Sequence, residues 1–210
     1  LGAGFVAAIR TAWRRTGADA AQASRAAVVA AVGVAVWMGG TLAAAAAGAL
    51  RFDGVPPTMV LLIAVNFVVA ITVGCSRVGG RLAAGLPLWV LVGAQSFRLP
   101  LELLMHRAAT EGVMPPQMSY SGLNFDILTG VTALLLAVAL ATGRAGRRTA
   151  AAWNVLGSVL LLNILVIAFL STPLPIRVFM NEPANVWITR APFVWLPTVM
   201  VCSAIIGHIA

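Results

Sequence analysis

The chain contains no lysine, so all fourteen of its basic residues are arginines. That absence excludes every chemistry that runs through a lysine Schiff base, a retinal-binding pump included. Acid is scarce as well: six Asp and Glu leave a formal net charge of +8. Histidine and cysteine occur twice each. His106 and His208 are expected at opposite membrane faces, ~30 Å apart, which excludes a bis-His haem. Zinc hydrolysis wants two or three nitrogen or sulfur ligands together, and only His106 is expected on the outer side. Cys75 and Cys202 fall in different apolar runs and read as small core residues rather than a disulfide or metal pair. No segment alternates polar and apolar residues over the ~10 positions of a barrel strand. No Gly-rich phosphate loop follows a strand, because no strands are expected.

What is present is hydrocarbon. The 210 residues are 60% hydrophobic and 10% charged, with a mean hydropathy of +0.96. Several apolar runs approach or exceed the ~20 residues that cross a bilayer core as helix. The expected fold class is all-α, with residues 1–26 as an interfacial amphipathic helix and 27–210 as a bundle of six transmembrane helices. The spans fall at about 27–50, 57–75, 83–105, 124–142, 150–170 and 191–209. In the prelude Leu1, Phe5, Ile9 and Ala12 share one face and Arg10 and Arg14 the other, so the helix should lie in the headgroup plane. A disordered tail is the alternative. The opening Leu1, in place of Met, points to an upstream segment removed by processing or trimming. Arg77 and Arg81 flank what reads as a Gly-rich loop. Gly33, Gly39, Gly40 and Gly48 give the first span surfaces for close helix packing.

Arginine sets the orientation. With the N-terminus inside, the cytoplasmic side holds Arg10, Arg14, Arg15, Arg25, Arg77, Arg81, Arg144, Arg147 and Arg148, against Arg51, Arg107, Arg177 and Arg190 outside. Nine against four places both termini in the cytoplasm of a bacterial inner membrane. The basic face is expected to meet anionic lipid headgroups rather than nucleic acid. The long segments 106–123 and 171–190 then share the outer side, where they are expected to fold as an ordered lid. A mobile surface loop is the other reading. Trp89, Trp153, Trp187 and Trp195 read as interfacial anchors. No internal repeat is visible.

The third span is the polar one. At 100° per residue Gln95, Arg98, Glu102 and His106 fall within about 80° of each other, a stripe rising ~16 Å along one face. Arg98 and Glu102 are at i, i+4, as are Glu102 and His106, so each can reach the next. A mid-bilayer charge costs ~2.5–3.5 kcal/mol, so the stripe should face the bundle interior. Pro100 should bend the helix by freeing the Ser96 carbonyl. Asn66, Asn163 and Asp126 stand at similar depth, with Asn124 beside Asp126, and complete a candidate pocket. Each has a plainer reading. Arg98 and Glu102 could be a neutralised pair fixing register, Asn124 and Asp126 a helix cap, and Asn66 and Asn163 simple interhelical bonds. His106 could be a proton acceptor or a solvated loop residue, and His208 reads as interfacial. A metal held by Glu102, His106, Glu111 and Asp126, or a Ser119 or Ser121 nucleophile with His106 as base, is not singled out by spacing.

The segments FRLPLELLMH, SGLNFDILTG and APFVWLP resemble an uncharacterised family of bacterial polytopic integral membrane proteins, over most of residues 85–208. The resemblance implies a small stand-alone polytopic protein and supplies no activity, cofactor or substrate.

The leading expectation is binding or translocation of a small polar or anionic solute, or of protons, at an outward-facing site. There Arg98 holds negative charge, Glu102 and Asp126 accept protons, and His106 passes them to water. A membrane-embedded enzyme acting on a lipid or isoprenoid stays open, as does a non-catalytic subunit or assembly factor of a larger complex. No cofactor and no metal is expected. Assembly into an oligomer is left undecided by sequence.

Overall fold

The computed structural model describes residues 1–210 and is all-α. Its helices are α1 (Gly2–Arg15), α2 (Ala20–Ala46), α3 (Thr58–Cys75), α4 (Arg77–Gly85), α5 (Leu88–Thr110), α6 (Ile127–Ala141), α7 (Arg147–Leu170) and α8 (Leu196–Ile209). Four of them, α2, α3, α5 and α7, are long and apolar enough to cross a membrane. Their outward faces carry exposed Val29, Val36, Val68, Leu104 and Leu162. So much uncovered hydrocarbon on several sides is what lipid solvates and water does not.

The N-terminal prelude divides in two. Gly17, at φ +91°, ends α1, and the Asp19 carboxylate accepts from the Gln22 N–H at 2.7 Å to start α2. The expected single helix over 1–26 is therefore α1 plus the first turns of α2. The apolar face of α1 is also covered by protein: Ile9 and Ala12 pack on Leu82 of α4, and Arg81 lies 4.8 Å from the Trp13 ring centroid.

The glycines between Arg77 and Arg81 form helix, not loop. Ser76 caps α4 by accepting from Val78 N–H at 3.0 Å. A Cβ on Gly79 would overlap the Gly74 carbonyl at the end of α3. The glycines permit close approach rather than flexibility. This turn moves the start of the third span from 83 to Leu88.

Two apolar helices are short. α6 has 15 residues and α8 fewer, about 21–22 Å of rise against the ~30 Å of a hydrocarbon core. α6 begins beside the middle of α5, where a Cβ on Gly130 would meet the backbone of Arg98 and Leu99. α8 opens with a π-helical turn at Leu196–Val201, held to α2 by Trp37 Nε1–H donating to the Thr198 carbonyl at 2.9 Å and Trp195 Nε1–H to that of Met38 at 3.1 Å. The expected spans at 124–142 and 191–209 are thus helical only over these shorter stretches. The chain leading into each is irregular and only partly buried: Asn124, Asp126 and Val194 lie inside, while Leu123, Phe125, Ala191 and Pro192 are exposed.

The segments 106–123 and 171–190 are ordered and dock on each other. Gln117 Nε2–H donates to Ser171 Oγ at 2.8 Å, and Asn181 Nδ2–H to Gln117 Oε1 at 3.1 Å. Asn185 Nδ2–H donates to the Ala168 carbonyl at 2.9 Å. Trp187 is 2% exposed and packs in the main core with Met59, Met105 and Met114. It is a core residue, as is Trp153, rather than an interfacial anchor; Trp89 remains exposed.

Candidate functional site

A 3-10 turn at Gln95–Phe97 interrupts α5 just before Arg98, one turn ahead of Pro100, whose missing N–H weakens the helix there. The turn aims the stripe inward: Gln95, Arg98 and Glu102 are each at most 2% exposed.

Arg98 pairs across to the next helix, not along its own. Its Nη1–H donates to Asp126 Oδ1 at 2.7 Å, with both side chains buried. The expected Arg98–Glu102 pair is not formed; Glu102 Oε2 accepts instead from Asn124 Nδ2–H at 2.7 Å. Asn124 works three ways, donating also to the Met118 carbonyl at 3.0 Å and accepting from Asp126 N–H at 3.0 Å. Asp126 occupies the N-cap position of α6 but makes no side-chain capping bond. Its carboxylate is committed to the guanidinium, which outweighs a cap.

Asn66 of α3 donates through Nδ2–H to the Pro197 carbonyl at 2.8 Å, in the π-helical turn of α8. Asn163 lies apart. Its Nδ2–H donates to the Leu123 carbonyl at 2.8 Å, and it clamps the approach to α6 from outside the chamber. His106 stands at the outer rim, Nδ1 2.9 Å from Ser119 Oγ and 3.3 Å from Ser121 Oγ, stacked on Tyr120 at 4.4 Å. Glu111, which spacing did not single out as a metal ligand, is paired with Arg107. The structure therefore gathers Arg98, Glu102, Asn66, Asn124 and Asp126, and leaves Asn163 and His106 at the edge.

Beside this group lies a cavity of about 560 Å³ between α3, α5, α7 and α8, with 22 hydrophobic residues among the 29 that line it. Arg98, Glu102, Asp126 and Asn66 line one part, and Thr172, Asn185 and Trp187 another. Several polar atoms there are buried without a partner: Arg98 Nε and Nη2, Asn66 Oδ1, Asn185 Oδ1 and Trp187 Nε1. The cavity reaches the protein surface along α7, where Leu162 (61% exposed), Val166 (47%) and Phe169 (43%) are both lining and exposed.

Sequence reasoning missed Gln117, Asn185, Thr129 and His208. The first two sit in irregular segments without periodicity. Thr129 reads as an ordinary helix residue. His208, expected at the interface, is instead packed among Trp153, Asn154 and Gly157.

A family model described as a domain of unknown function (DUF8737) matches residues 55–210. That match takes in α3 through α8 and every lining residue of the cavity. No curated protein and no solved structure matches the chain.

Proposed function

The chain belongs to the DUF8737 family, and we propose that it is a multi-pass membrane protein which holds one amphiphile, a lipid or isoprenoid, with its polar end at Arg98. The observation that carries this reading is the cavity. At ~30 Å³ per water, 560 Å³ would need far more water molecules than its few polar atoms can hold, and apolar cavities stay dry. A hydrocarbon chain fits such walls, and the exposed edge of Leu162, Val166 and Phe169 supplies a lateral entrance from the bilayer. The polar end must accept from Arg98 Nε–H and Nη2–H and donate to Asn66 Oδ1. Arg98 is already balanced by Asp126. A hydroxyl, carboxyl or amide suits that set better than a phosphate does.

In this reading α2, α3, α5, α6, α7 and α8 all cross the bilayer, the two short helices completing their passage with the irregular segments before them. The arginine count supports both termini in the cytoplasm of a bacterial inner membrane, with anionic headgroups on that side. An oligomer has room on α2, where Gly33, Gly39 and Gly40 meet nothing within 4 Å. A non-catalytic subunit would be expected to satisfy its buried charges, and two guanidinium nitrogens without partners argue against that.

A second reading, a site for a small polar solute or protons, draws on those same free atoms. Native mass spectrometry from lipid nanodiscs separates the two. The amphiphile reading expects a bound mass of lipid size in the wild type, reduced at least tenfold in Arg98→Gln and in Leu162→Trp, which closes the lateral edge. Undiminished binding in both variants, or no bound lipid in the wild type, rejects it. Solute uptake lost in Arg98→Gln but untouched by Leu162→Trp moves the conclusion to the second reading.

A further inference from the structure

The large cavity is polar at two places, and they lie apart. Trp187 shares its core cluster with Met59 of α3 and Met105 of α5. Each methionine stands seven residues along its helix from the other polar group, Met59 from Asn66 and Met105 from Arg98. Seven residues of helix rise about 10 Å. Gln117 also ties the chain beyond α5 to Ser171 at the end of α7, so the neighbouring Thr172 belongs with Trp187 to that end of the bundle. Between the two places the lining is apolar, with Ile63, Leu101, Ile164 and Leu165.

The second place has a defined chemistry. Asn185 Nδ2–H donates to the Ala168 carbonyl at 2.9 Å, which identifies the other amide atom as oxygen. That Oδ1 is buried without a partner, so it calls for a donor. Trp187 Nε1–H is buried and unpartnered as well, and it calls for an acceptor. Both residues line the cavity and are at most 2% exposed. Thr172, also in the lining, donates its hydroxyl hydrogen to the Phe169 carbonyl at 2.6 Å and keeps its lone pairs. Each unpaired atom has lost its water and gained no bond in exchange. A hydroxyl is the smallest group that donates and accepts at once.

We propose that the occupant is polar at both ends: a hydroxylated acyl chain, its acid end at Arg98 and a hydroxyl about 10 Å further along. This rests on the amphiphile reading and names the class of amphiphile. The carboxyl accepts from Arg98 Nε–H and Nη2–H and, protonated, donates to Asn66 Oδ1. The hydroxyl donates to Asn185 Oδ1 and accepts from Trp187 Nε1–H. The methylenes between them lie on Ile63, Leu101, Ile164 and Leu165. A lipid with one polar end leaves both atoms of the second place unpaired. A site built to bond a hydroxyl discriminates strongly against the analogue that lacks it.

The test uses the full chain in lipid nanodiscs and reads binding by native mass spectrometry. The probes are straight-chain carboxylic acids graded in length on either side of about 10 Å, each plain and with a hydroxyl on its last carbon. At the matching length the hydroxylated acid is expected to bind at least tenfold tighter than the plain one. Trp187→Phe keeps a ring and removes the N–H, and Asn185→Ala removes the acceptor; each should erase most of that ratio. Because the ratio is read within one variant, a general loosening of the chamber cancels. Arg98→Gln should weaken both forms alike and leave the ratio standing. Plain acids that bind and weaken in Arg98→Gln, yet gain nothing from the hydroxyl at any length, overturn the two-ended ligand and spare the amphiphile reading. A gain that persists in both Trp187→Phe and Asn185→Ala overturns it too, since the hydroxyl would then bond elsewhere. Binding of neither form also overturns it, and whether the wild type carries lipid then decides the amphiphile reading separately.

Discussion

Arg98 and Asp126, 28 residues apart, form a buried ion pair of 2.7 Å that joins the middle of α5 to the first residue before α6. Only one guanidinium nitrogen is used, so the pair fixes two helices and leaves Nε–H and Nη2–H buried without partners. The pair is what lets an irregular segment end inside the bundle, because the carboxylate that opens α6 finds its counter-charge there.

Removing one partner should therefore cost far more than removing both. Arg98→Leu or Asp126→Leu alone is expected to lower stability by about 3–5 kcal/mol, since each strands a buried charge. The double variant should recover most of that loss. Equilibrium unfolding in mixed micelles measures the cycle; simple additivity of the two single losses would contradict a direct pair.

The docking of segments 106–123 and 171–190 on each other rests on Gln117. Both ends of its amide are engaged, with Ser171 and with Asn181. Gln117→Ala should cost about 1–2 kcal/mol in local stability and raise amide hydrogen exchange in residues 171–185 at least fivefold, leaving the α7 core protected. Exchange that stays at the wild-type rate would mean that the two segments are held by Trp187 packing alone.

Outside the four apolar spans, the exposed loop after α2 offers a cleaner titration. Arg51 and Asp53 lie 2.5 Å apart with both side chains well exposed. The Arg51 hydrogen bond holds the Asp53 carboxyl below its usual 3.8, and the Asp53 carboxylate raises the guanidinium above its usual value. The contribution of Asp53 is present above pH 3.8 and fades as pH falls through the lower folded value, whereas Arg51 loses its share only in strong alkali. Carboxyl-carbon NMR of Asp53 should show its midpoint rising toward 3.8 in Arg51→Ala, and toward the same value in high salt. No movement in either condition would mean that the loop does not hold the pair in solution.

Sequence alone determined the class of this protein. Apolar runs of spanning length require helix, since no water is present to satisfy an open backbone, and the inward turn of Gln95, Arg98 and Glu102 follows from the cost of a charge in lipid. It also placed Asn66, Asn124 and Asp126 in their company. Only the tertiary structure decided who pairs with whom. Spacing of i, i+4 favours Glu102 for Arg98, yet a carboxylate arriving from another helix takes the guanidinium, and Asn124 takes the glutamate. The same holds for the glycines near Arg77, which composition reads as a loop and close packing against Gly74 makes a helix. It holds too for His208, whose place at the chain's end says interface while its Asn154 and Gly157 neighbours lie some fifty residues away. Local rules see the periodicity of one helix. A cavity, an ion pair and a buried imidazole exist only between helices, where distance along the chain carries no information.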